Sequence, residues 1–139
     1  MVNLKNPNAK VVALFPTPLY ISNYNGNTDE MVKYFDSQQF NDATPGYGYI
    51  SKNSYVIDDP ICTNLANWVK SCMKDYATNV MRYRYDDLVF TQSWLTLKTT
   101  NMIHKAHTHP NTLISSVFYY EMKDGHPPIC FSKKVEPVG

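Results

Sequence analysis

The sequence predicts an α+β domain, helices first and sheet afterwards, and three features carry that expectation. Ile61, Leu65, Trp68, Val69, Cys72, Met73, Tyr76 and Val80 recur at spacings of three and four, the period of one helix face. Residues 88–99 and 113–122 are instead runs of β-branched and aromatic residues in rough alternation. Eleven tyrosines among 139 residues favour strands and half-buried surfaces on which a ring packs while its hydroxyl stays wet. A chain of this length fits one domain, 1–139, with an edge strand, helices and a loop over 1–87 and a β-rich part over 88–133.

The elements follow in order. Lys10 to Ile21 is an apolar run whose Pro16 and Pro18 cannot donate ladder hydrogen bonds, so it reads as an edge strand. Thr28 is placed to cap a short helix, with Asp29 and Glu30 in its positive first turn and Met31, Tyr34 and Phe35 as its apolar stripe. Asn41 to Ser54 is rich in turn formers and reads as a loop whose tyrosines are free to cover a pocket. Asp58-Asp59-Pro60 then signals the start of the long helix, since aspartate caps and proline suits the first helical position. Strands are expected over Leu88–Thr99, Leu113–Met122 and Ile129–Ser132, with a Lys-Asp-Gly-His-Pro-Pro turn before the last and a frayed tail after it.

Composition narrows the function. Hydrophobic residues at 43% and charged residues at 18% describe a folded chain, not a disordered one. A net charge of +1 offers no basic field for a phosphate backbone, so nucleic acid is not indicated as a partner. No apolar run resembles a signal peptide or a membrane span, so a cytoplasmic location is expected. Cys62, Cys72 and Cys130 are odd in number and lack CxxC spacing, which predicts reduced thiols in structural positions, Cys130 as a small core residue. Trp94 reads as a core anchor.

Three of the four histidines, His104, His107 and His109, fall within six residues between two expected strands. In an extended segment, side chains at i and i+2 share a face, so His107 and His109 are able to converge on one metal ion. Neutral imidazole suits iron(II), zinc, nickel and copper alike. Solvated histidines in a proline-terminated turn explain the same cluster without a metal, and spacing does not decide between the two.

Phe15-Pro16-Thr17-Pro18-Leu19-Tyr20, Ser51-Lys52-Asn53-Ser54-Tyr55, Ser93-Trp94-Leu95, the stretch from His107 through Ser115 to Tyr120, and Pro128-Ile129-Cys130-Phe131 form an ordered series of motifs. In that order and spacing the chain resembles the iron(II)- and 2-oxoglutarate-dependent oxygenase family of marine phages and bacteria. The resemblance spans nearly the whole chain and is strongest from His107 to Tyr120. It implies a double-stranded β-helix, or jelly roll, braced by N-terminal helices, of which this chain is the N-terminal two-thirds. The activity it implies is a dioxygenase reaction: decarboxylation of a small-molecule co-substrate, 2-oxoglutarate, coupled to hydroxylation of a second substrate.

Carried onto this sequence, the resemblance makes His107 the first metal ligand and Thr108 the spacer. His109 then stands at the position usually held by aspartate or glutamate, a departure that removes a negative charge from the site. A shifted register would use His109 and Asn111. Ser115 and Tyr119, two strand positions that share one face, are the expected co-substrate contacts. The family's distal histidine and carboxylate-gripping arginine come from later strands. His126 lies in a turn, and Arg82 and Arg84 precede the expected sheet. The expectation is therefore a site completed by a C-terminal fragment or by a homo-oligomer. Two alternatives stand beside it: a catalytically inactive oxygenase-like domain acting as a binding or oligomerisation module, and a cupin-like site for zinc or nickel.

Overall fold

The computed structural model describes residues 17–45, 47–98, 104–122 and 129–132. Helix α1 (Asp29–Asp36) begins where Thr28 is expected to cap it, yet the threonine hydroxyl makes no capping bond. Asn27 takes that role, its side-chain oxygen accepting the Asp29 N–H at 2.8 Å. Met31 and Phe35 are the buried residues of this helix.

The long helix is built in three parts. Single 3-10 turns at Val56–Asp58 and Pro60–Cys62 lead into α2 (Thr63–Asp75), which widens into a π turn at Tyr76–Val80. Of the two aspartates at the entry, Asp59 is the cap, accepting the Ile61 N–H at 3.0 Å with Pro60 in the first helical position. Of the stripe, Leu65 near its start is buried, the members from Trp68 to Tyr76 are partly buried, and Ile61 and Val80 at its ends are exposed. The helix closes where Arg82 adopts a left-handed φ of 54° and the Tyr83 N–H reaches back to the Ala77 carbonyl at 2.9 Å.

Beyond α2 the chain is tied back by charge. Asp87 takes Lys70 and Lys74 at 3.2 Å each. The Leu88 N–H, followed by those two ammonium groups, holds the Asp87 carboxyl at about 2, below its usual 3.8.

The sheet consists of β1 (Tyr49–Ile50) and β2 (Thr96–Leu97), antiparallel, with Tyr49 opposite Leu97 and Ile50 opposite Thr96. A bridge between Phe40 and Ser51 adds the chain leaving α1 on the far side of β1. The segment 41–54 is thus not simply a loop. Gly48, at φ 75°, permits the tight return that pairs Thr44 with Gly48 and delivers Tyr49 to the sheet.

Other expected strands are reduced. Within 88–98 only Thr96–Leu97 is a strand, and 113–120 is without a ladder partner among the described residues. The Lys10–Pro16 part of the expected edge strand lies outside the described residues. Residues 17–21 form no ladder; Tyr20 donates to Asp75 at 2.8 Å and Tyr76 donates to the Pro18 carbonyl at 3.1 Å, so this segment is held along the end of α2. Among the described residues the architecture is mixed helix with one small antiparallel sheet, an α+β arrangement.

Met31, Phe35, Val56, Cys62, Leu65 and Leu95 form the core, flanked by Tyr24, Trp68, Phe118 and Tyr120. Two core assignments need correction. Trp94 is 38% exposed and its neighbour Leu95 is the buried residue, because the pairing of Leu95 with Ser51 turns alternate side chains outward. Cys130 is exposed; Cys62 is the fully buried cysteine, and burial, then the charge of Asp59, push its thiol up to about 11.

Two predictions follow from these contacts. The buried Ser51 hydroxyl accepts the Leu95 N–H at 3.0 Å and donates to the Asn53 carbonyl at 2.7 Å. Ser51→Ala should cost about 1–3 kcal/mol in chemical denaturation, the penalty for a buried donor left unpaired. Asp87 has its folded pKa depressed, so its contribution is present above 3.8 and is lost as pH falls through about 2. Asp87→Asn should lower the urea midpoint at pH 7, and the difference from the parent protein should close as the pH falls through that window.

Candidate metal centre

Residues 104–109 belong to no helix or ladder and end at Pro110, after which Asn111 adopts a left-handed φ of 58°. Asparagine tolerates that conformation because its short polar side chain bonds locally. The turn separates the histidine segment from the run that begins at Leu113.

All three imidazoles of this segment adjoin. The His104 and His107 rings stack with centroids 4.8 Å apart and planes 20° from parallel. The His107 and His109 rings lie 4.9 Å apart at 70°. Tyr47 presents its ring to His104 at 5.4 Å and to His107 at 5.8 Å, while Trp94 tilts against His109 at 5.5 Å. Both aromatics come from the sheet region, Tyr47 from the approach to β1 and Trp94 from the approach to β2.

Ring planes sort the three imidazoles. A ring nitrogen offers its lone pair within the plane of the ring, so the nearly parallel planes of His104 and His107 do not aim at one point. The steep crossing of His107 and His109 does allow in-plane donors to meet. His107 Nδ1 lies 2.9 Å from the Lys105 carbonyl. A carbonyl only accepts, so Nδ1 is the donor and the neutral ring carries its lone pair on Nε2; an oriented ring of this kind is what a metal ligand needs. His107 and His109 are exposed and His104 is half-buried. Among the described residues no set of three or more His, Cys, Asp or Glu side chains is arranged to hold one ion.

The expected co-substrate contacts lie elsewhere. Ser115 and Tyr119 are both exposed. Phe118 and Tyr120 pack inward, Phe118 against Tyr24 and Trp68 and Tyr120 against Phe35. Burial, with Asp36 and Glu121 nearby, pushes the Tyr120 phenol up and keeps it a neutral donor. Arg82 and Arg84 are exposed, and His126 lies outside the described residues.

Tyr47 is the residue that sequence reasoning named only collectively, among the loop tyrosines; its signal was the Tyr-Gly-Tyr pattern that needs a glycine to bring the ring round. Comparison with protein-family models, curated proteins and solved structures returned no match.

The cluster predicts an unusual titration. Burial first, then the charges of Lys98, His107 and His109, hold the His104 imidazole below its ordinary 6.5. A base with a depressed folded pKa contributes stability above its unfolded pKa, lost as pH falls through the folded value. Imidazole NMR should show His104 titrating below 6.5, and Tyr47→Ala, which uncovers the ring, should move the midpoint back up. A midpoint at or above 6.5 in the parent protein would mean that the three rings are solvated and apart.

Proposed function

We propose that this chain carries the metal-binding portion of an iron(II)- and 2-oxoglutarate-dependent dioxygenase domain, with His107 and His109 as the metal ligands. The crossed 4.9 Å pairing of their rings is the observation that supports it most directly. The Lys105 carbonyl, by taking the Nδ1 proton of His107, supports the same assignment by leaving Nε2 as the donor. A jelly roll in which 113–120 serves as a strand belongs to this proposal.

The residues fit the metal better than the co-substrate. Two neutral nitrogens suit iron(II), and also zinc, nickel or copper, and leave the ion's charge uncompensated where the family pattern has a carboxylate. Ser115 and Tyr119 enclose nothing among the described residues, so 2-oxoglutarate needs a further surface over their outward face. When bound, iron(II) with its co-substrate supplies the oxidising chemistry for hydroxylating a C–H bond. Of this chain's residues, His107 and His109 would hold the ion, while Tyr47 packs against His107 and Trp94 against His109 to fix the ring angles.

Anaerobic titration with iron(II) tests the ligand assignment. His107→Ala or His109→Ala should each weaken binding by more than about tenfold, since even outer-shell partners of metal ligands are worth 10–100-fold. His104→Ala should change it by less. Metal-loaded protein that neither binds 2-oxoglutarate nor yields succinate under oxygen would remove the oxygenase reading and leave an imidazole metal site.

A further inference from the structure

We propose that Tyr47 holds the candidate metal centre to two imidazoles: its ring keeps His104 stacked on His107 and out of the ligand set. The inference rests on the ligand pair of the proposed function and adds what limits it to a pair.

His104, His107 and His109 place three nitrogen donors within six residues, on chain that belongs to no helix or ladder. Free of a ladder, such a segment can turn around one ion. Distance does not set His104 apart, since its ring lies 4.8 Å from His107 and the His109 ring lies 4.9 Å from it. Orientation does. His104 is 20° from parallel with His107, so the in-plane lone pairs of those two rings run side by side, whereas His109 crosses His107 at 70°. Among the described residues the three therefore form no set that holds one ion. To join the pair, His104 must leave the stack.

Tyr47 stands in the way. Its ring meets His104 at 5.4 Å and 85° and His107 at 5.8 Å and 65°, so one aromatic abuts both members of the stack. Edge-to-face contacts of this kind are a favoured geometry for aromatic rings. Tyr47 is also the better anchored partner. Its N–H donates to the Thr44 carbonyl at 2.9 Å, the Thr44 N–H donates to the Gly48 carbonyl at 3.0 Å, and Gly48 leads at φ 75° into β1. The histidine segment has no such ladder, so the tyrosine sets the place of His104 and not the reverse. Metal specificity is the consequence. Three imidazoles with one open position are a zinc(II) arrangement, whereas two leave the further positions that an iron(II) centre needs for exogenous donors.

Zinc(II) titration of the full chain tests it, with ring-nitrogen NMR to count the imidazoles that the ion takes. In the parent protein the nitrogens of His107 and His109 should shift to the metal-bound range while those of His104 stay unbound. Tyr47→Ala should bring His104 in as a third ligand and tighten zinc(II) binding by more than about tenfold, the scale of even an outer-shell partner. Adding His104→Ala to that variant should remove the gain. Tyr47→Phe, which keeps the ring contacts, should behave as the parent. Trp94→Ala loosens the cluster at His109 instead, so it should recruit no third nitrogen. A parent protein with His104 among the bound nitrogens, a Tyr47→Ala variant that still binds through two, a gain that survives His104→Ala, or a third nitrogen recruited by Trp94→Ala would each overturn the inference and leave the His107–His109 pair standing. A parent protein in which neither His107 nor His109 shifts would remove the pair and the inference together.

Discussion

A reciprocal pair of bonds between Ser51 and Leu95 is the constraint on which the arrangement depends. The Ser51 N–H donates to the Leu95 carbonyl at 3.0 Å, and the Leu95 N–H donates to the Ser51 hydroxyl at 3.0 Å. Ser51 is 2% exposed, so neither group has water as an alternative partner. From this junction the ladder runs on to Ile50 opposite Thr96 and Tyr49 opposite Leu97, and on the other side Ser93 binds both Ser54 and Val56. Two segments about forty residues apart in sequence are thereby locked in one register. Tyr47 and Trp94 project from the two sides of that junction, which is why both reach the histidine segment.

The core explains why the junction holds. Leu95 enters the same cluster as Met31 and Phe35 from α1, Val56 from the 3-10 turn, and Cys62 and Leu65 from α2. Each helix buries only one stripe, so sheet residues must supply the opposing surface. Leu95 supplies part of it, and the inward side of 113–120 supplies the rest through Phe118 and Tyr120. Helical bracing is complete on that side, while the outward row Leu113, Val117 and Tyr119 has no counterpart among the described residues.

What was legible in the sequence divides along physical lines. Both α-helices were readable because their signals are local: a stripe at spacings of three and four, acidic residues in a first turn, and an Asp-Pro entry. Strand β1 was not, because its stability comes from Leu97 and Thr96, far along the chain, while its immediate neighbours are turn formers. Parity was the other missing quantity. Alternation shows that Ser115 and Tyr119 share a face and that Trp94 and Leu95 do not, but not which face is the inner one. That choice is made by a distant partner: Ser51 turns Leu95 inward, and α1 and α2 take Phe118 and Tyr120.

The same parity logic governs the imidazoles, at one further level of detail. The His107 and His109 ring centroids are 4.9 Å apart, at the two-residue spacing the sequence reading relied on. His104, an odd number of residues away, still lies 4.8 Å from His107, because Tyr47 packs against both rings. Proximity therefore does not sort the three rings; the angle between ring planes does. The His104 ring lies nearly parallel to His107, whereas the His109 ring crosses it steeply. The two aromatics carried by the Ser51–Leu95 junction divide between the rings, Tyr47 against His104 and His107 and Trp94 against His109.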